Sequence, residues 1–106
     1  MIIATLDTIP GKKVAEVLGM VRGNTIRARA VGKDIVASLR TLVGGEIVEY
    51  TKMVAESREQ ALDRMVEEAK QLGADAVLGV KFTTSSMMQG AAELLAYGTA
   101  VKLVDQ

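Results

Sequence analysis

The tract from Ala91 to Val104 constrains the fold more than any other, because it reads as a strand without a polar face. Leu95, Tyr97, Thr99, Val101 and Leu103 alternate with Leu94, Ala96, Gly98 and Ala100, and alternate residues of a strand point to opposite sides. A strand apolar on both sides needs cover on both sides. One side is expected to meet the chain's own helices and the other a second subunit. The chain of 106 residues is sized for one domain, taken here as residues 1–106. It is 49% hydrophobic, with mean hydropathy +0.23, and so small a domain cannot hide all of that internally. Self-association is expected on both counts.

The rest of the chain supplies partners for that strand. Ile2–Thr5 is β-prone and ends at the turn signal Asp7-Thr-Ile-Pro-Gly11. Val14–Ala30 is also β-like, and Gly23-Asn24 within it is either a two-residue hairpin turn or a bulge in one long strand, the hairpin being slightly favoured. Ile35, Leu39 and Leu42 recur at helical spacing after Asp34, a plausible N-cap, and Gly44-Gly45 closes that short helix. A longer helix is expected from Ile47 to Leu72. Ile47, Tyr50, Val54, Ala61, Met65, Ala69 and Leu72 form its apolar face, charged residues cover the outside, and Gly73 ends it. Ala74–Thr84 is a strand, with Ala76, Leu78, Val80 and Phe82 on one side, and Ser85–Gly90 a loop. The order β-β-α-α-β-β predicts an α+β fold, two helices on an antiparallel sheet.

Composition excludes several functions. With neither Cys nor His, the chain has no disulfides, thiol nucleophile, imidazole base or Cys-based zinc site. Thirteen basic residues balance 13 acidic ones without a basic block, and aromatics are 3% of the chain, which disfavours nucleic acid as a partner. The segment Met1–Asp7 lacks the marks of a signal peptide and no apolar run reaches membrane-span length, so the expectation is a cytoplasmic protein with no membrane partner. No glycine-rich phosphate loop is present.

A few residues remain as candidate ligands. Glu46 and Glu49, three apart near the start of the long helix, suit a hard cation, although carboxylates there are also favoured by the helix dipole. Met87-Met88 offers two thioethers, too few for a soft-metal site without a third ligand. Thr84, Ser85 and Ser86 sit where a strand is expected to enter a loop, and their hydroxyls could hold a small polar ligand or merely satisfy the turn. Tyr97 carries a polar tip in an apolar strand. Asp75 follows Gly73-Ala74, where Asp commonly bonds the backbone. No cofactor is identifiable. No spacing sets a nucleophile beside a base, so the chain reads as a non-enzymatic homo-oligomeric module that binds a small ligand or metal ion. The alternative is an enzyme with an inter-subunit site built from carboxylates, Tyr97 or Ser85.

Several short tracts occur together in a specific order: Gly11 with Gly19 and Gly23, Ser38-Leu-Arg40 before Gly44-Gly45-Glu46, Tyr50-Thr51, Glu56-Ser-Arg58, Ala61-Leu62, Gly73-Ala-Asp-Ala-Val77, Thr84-Ser85 and Ala96-Tyr-Gly-Thr-Ala-Val101. In these the chain resembles, over essentially its whole length, the YbjQ-like family, whose members are labelled heavy-metal-binding and whose biochemical function is not established. The resemblance implies a long bent second strand, two helices, a C-terminal hairpin and a ring-shaped homo-oligomer, a pentamer. It favours the bulge over the hairpin at Gly23-Asn24. The label sits poorly with a chain lacking thiolate and imidazole donors.

Overall fold

The computed structural model describes residues 1–28, 45–88 and 91–106, with side chains described outside 27–28, 45–53 and 87–88. Its elements are β1 (Ile2–Ile3), β2 (Lys12–Ala28), α1 (Gly45–Gln71), β3 (Ala76–Met88) and β4 (Ala91–Asp105). They form one four-stranded sheet in the order β1-β3-β4-β2, with α1 packed mainly on β2.

Three expectations are corrected. The sheet is mixed, because β1 runs parallel to β3 while β2 and β3 flank β4 antiparallel. Ile2 to Ala4 lies along β3, donating from Ile2 and Ala4 N–H to the Asp75 and Val77 carbonyls, and the chain crosses to the far edge before β2 begins. One helix, not two, is found among the described residues; the short helix expected at Ile35–Leu42 lies outside them. The sheet is open, with β1 and β2 at its edges, and the expected ring finds no support in it.

Neither the hairpin turn nor the bulge expected at Gly23-Asn24 is present. β2 is one strand of 17 residues, and Gly23 and Asn24 pair in regular register with Ala96 and Leu95. Its irregularities fall earlier, between Val14 and Glu16 and between Val17 and Gly19. The second involves Gly19, whose φ of 126° is open to glycine alone. Gly23 has a different task. A methyl group there would collide with the Ala61 carbonyl oxygen and the Met65 amide nitrogen, and would lie 2.7 Å from Arg64 Cβ. Only a glycine lets β2 approach the α1 backbone so closely.

That approach defines the main core. Ala61, Met65 and Ala69 recur every four residues, one face of a helix, and are buried against Val21, Val77, Val80, Ala96 and Ala100. Ser57 extends the same face and is buried too, with its carbonyl accepting from Thr25 Oγ1 at 3.3 Å. Small residues on both sides keep helix and sheet close. Leu72, expected on this face, is exposed because the helix has already ended. Gly73, at φ 76°, donates to the Lys70 carbonyl and Ala74 to that of Ala69, so the last carbonyls are satisfied by a Schellman turn.

A smaller cluster lies on the other side of the sheet, where Ala4, Ile9 and Leu103 pack on Ala76, Leu78 and Val101. The stretch from Ala4 to Ile9 works as a strap. Gly79 and Val80 donate to the Leu6 and Ala4 carbonyls, both at 3.0 Å. Gly79 has φ 63° and sits where the β3–β4 register slips between Leu78 and Lys81. The slip reverses the alternation, so Val80 joins Val77 under the helix rather than following Ala76 and Leu78 as expected.

Candidate functional site

The covered face of the sheet leaves little for a ligand, so the open face is the place to look. Residues paired across adjacent strands share a face, and β4 settles which. Leu94, Ala96, Gly98 and Ala100 are buried on the helix side, and Leu95, Tyr97 and Leu103 are half-buried on the other. This matches the alternation expected for that strand. Beyond the strap the open face runs in rows from β2 through β4 to β3: Met20–Thr99–Leu78, Arg22–Tyr97–Lys81, Asn24–Leu95–Thr83 and Ile26–Glu93–Ser85. Val14, Val17, Met20 and Ile26 are apolar residues of this face left 40%, 64%, 66% and 56% exposed.

The hydroxyl-bearing residues do not converge. Thr84, Ser85 and Ser86 are not in a loop but within β3, opposite Leu94, Glu93 and Ala92. A strand separates neighbours to opposite sides: Thr84 and Ser86 fall on the helix side, while Ser85 shares the open face with Tyr97. Ser85 stands two rows from Tyr97, about 13 Å along the strand. The sequence places a turn here because small hydroxyl residues favour turns, but cross-strand pairing with Leu94 and Leu95 carries β3 on to Met88. All three hydroxyl residues are exposed.

What the register does bring together is Arg22, Tyr97 and Lys81, an aromatic ring with a cation on each side. Two polar contacts lie nearby, one joining helix to sheet and one within the open face. Arg64 Nη1 donates to the Asn24 carbonyl at 2.5 Å, and Asn24 Nδ2 donates to Glu93 Oε2 at 3.3 Å. Lys81 was visible in the sequence as a polar residue of its strand, but nothing there pairs it with Arg22 through Tyr97.

Asp75 behaves as its sequence setting implies. Its Oδ2 accepts from the Leu103 N–H at 2.9 Å, continuing the ladder past the end of β3. Nearby, Lys12 Nζ lies 2.8 Å from Asp105 Oδ1, an exposed pair. The hydrogen bond from Lys12 lowers the Asp105 pKa, and the same bond raises that of Lys12.

Metal ligands are scarce. No group of three or more Asp, Glu, His or Cys that could hold an ion occurs among the described residues. Glu46 and Glu49 lie in the first two turns of α1 and Met87 and Met88 at the end of β3, with their side chains outside the described residues. No helix of the described residues is long and apolar enough to cross a membrane.

Against known proteins, a family model described as "Putative heavy-metal-binding", that of the YbjQ family, matches residues 1–104. A UPF0145 protein of Methanosarcina acetivorans is 59% identical over 106 residues, covering 100% of both chains. Another, from Archaeoglobus fulgidus, is 63% identical over 103 residues, covering 97% of this chain and 95% of its own. Among solved structures, a protein of unknown function of the DUF74 family from Pediococcus pentosaceus superposes with a TM-score of 0.68 at 17% identity, covering 98% of each chain. At that identity the likeness concerns the fold alone.

Proposed function

We propose, for a chain that belongs to the YbjQ family, that it is a non-enzymatic homo-oligomeric module that binds a small ligand. One observation carries the assembly reading: the exposure of Val14, Val17, Met20 and Ile26 on the open sheet face. The shape of the subunit agrees. Its radius of gyration is 17.7 Å, against about 13 Å for a compact chain of this length. Its accessible surface is 7124 Å², about 1,400 Å² more than a compact monomer of this mass exposes. A surplus of that size is comparable to what one subunit buries in a permanent interface.

The ligand reading follows the donors. The family's description names heavy metals, and this chain fits it poorly: of the thiolate, thioether and imidazole donors that soft cations select, the sequence has only the thioethers of its 6 Met. Besides its apolar residues, the open face offers cationic, hydroxylic and aromatic side chains and the carboxylate of Glu93.

Native mass spectrometry with light scattering tests the assembly. The expected result is one species at an integer multiple of the 11.3 kDa subunit, reduced to the subunit by Val17→Asp with Met20→Asp. A wild-type monomer at micromolar concentration would sink the reading. Calorimetry against copper(I), cadmium and zinc is expected to show no tight site.

A further inference from the structure

We infer that the row Arg22–Tyr97–Lys81 is a binding site for a phosphate monoester carried on a planar group, such as a nucleoside monophosphate. This deepens the small-ligand reading above and rests on it.

The inference starts from register. Arg22 and Lys81 are both direct neighbours of Tyr97, on β2 and β3, so all three side chains leave the same face. Two strand spacings separate the cations, about 10 Å between their backbones, a gap that two long side chains span from both ends.

None of the described residues answers the two charges. Arg22 and Lys81 are exposed, and neither side chain forms a hydrogen bond or ion pair with another described residue. Lys12 pairs with Asp105 and Arg64 with the Asn24 carbonyl, whereas Lys13, Arg58, Lys70 and Lys102 are also without an ion pair among the described residues. What sets Arg22 and Lys81 apart is their place on either side of one ring. Two acids come near. Glu93 stands two rows away and accepts from Asn24. Asp7 of the strap lies beside Gly79 and pairs with neither cation. The row is therefore a local excess of positive charge on a chain with net charge +0.

The chemistry of the three groups selects the ligand. Guanidinium offers a planar fork that takes two phosphate oxygens at once, and ammonium adds a point charge. Two cations match a phosphate monoester, which carries close to two negative charges at neutral pH, better than a single carboxylate. Tyr97, half-buried, presents a ring against which a flat group can stack. Thr83, exposed in the next row, adds a neutral hydroxyl.

Amide chemical-shift titration of the full-length protein, with its native mass recorded in the same buffer, tests this. Adenosine monophosphate, inorganic phosphate and adenosine are the probes. Saturable shifts confined to Arg22, Lys81, Thr83, Leu95 and Tyr97 are expected with the nucleotide. Phosphate and adenosine should each bind at least about tenfold more weakly, and added salt should weaken the nucleotide. Arg22→Ala with Lys81→Ala should cost about tenfold or more. Tyr97→Leu should erase the advantage of the nucleotide over phosphate, and Tyr97→Phe should keep it. The proposal is overturned by an absence of saturation at roughly 10 mM nucleotide, or by unchanged affinity in the double variant. It is also overturned if that variant loses only its native mass, since the row would then be an assembly contact. A wild-type monomer that binds the nucleotide would remove the assembly reading and leave this one standing.

Discussion

The two faces of this sheet are built on opposite principles. The helix-covered face is assembled from small residues, Gly23, Ala61, Ala69, Ala96, Gly98 and Ala100, so that backbones nearly touch. The open face carries large side chains, Val17, Met20, Arg22, Ile26 and Tyr97, that meet little within the subunit. Both are read by the same strands, residue by residue in alternation. The contrast teaches where tolerance lies. A packed face has no room for an added atom, whereas an open one accepts almost any side chain as far as folding of the subunit is concerned.

Substitutions turn that contrast into measurements. Gly23→Val should have the largest effect, since its side chain would be driven into the α1 backbone; a loss of about 3 kcal/mol or more is expected in urea unfolding. Wild-type stability in that variant would mean that helix and sheet are further apart than described. Met65→Ala comes next. The side chain is fully buried, and its removal should cost about 2–4 kcal/mol by the same assay. Thr25→Val removes the bond to the Ser57 carbonyl and should cost about 1 kcal/mol.

On the open face, Val17→Asp with Met20→Asp should shift unfolding of the isolated subunit by no more than about 0.5 kcal/mol per site, read under conditions where the double variant is monomeric. A larger loss would show that this face is packed within the subunit. Lys12→Met should have the smallest effect, because the pair with Asp105 is exposed. Its sign is set all the same. Lys12 lowers the Asp105 pKa, so the pair's contribution is present above the ordinary carboxylate range and is lost as pH falls through the depressed value. Wild type and variant should therefore converge in acid, and a difference that grows as pH falls would contradict the pairing.

Much of this architecture was legible locally. The helix expected at Ile47–Leu72 is found at Gly45–Gln71, because a period near four in Ala61, Met65 and Ala69 and a glycine stop at Gly73 are short-range signals. The two faces of β4 were likewise readable from strict alternation. Alternation failed at β3, where Gly79 takes a left-handed conformation and moves Val80 to the other side. A glycine in a strand signals such a slip only weakly. The loop expected at Ser85–Gly90 is strand as far as Met88, because turn preference is a local property, while the length of a strand depends on its partner. The apparent hairpin at Gly23-Asn24 was a misreading of a glycine kept for close packing rather than for turning.

The candidate site divides along the same line. The interest of Tyr97 could be seen in the sequence, as a polar-tipped ring in an apolar strand, but its neighbours could not. Thr84, Ser85 and Ser86 looked like one cluster because they are consecutive, and a strand is the one local structure that must split consecutive residues between two faces.

By itself, then, the sequence determined the long helix, the apolar character of both faces of β4, and the absence of thiol and imidazole chemistry. Each follows from residue type or from spacings of a few positions. Only the tertiary structure decided that β1 lies parallel to β3, that Gly23 seats the helix, and that Arg22 and Lys81 stand on either side of Tyr97. Those facts depend on register between segments up to 75 residues apart, and register is fixed by packing of the whole sheet rather than by any one strand.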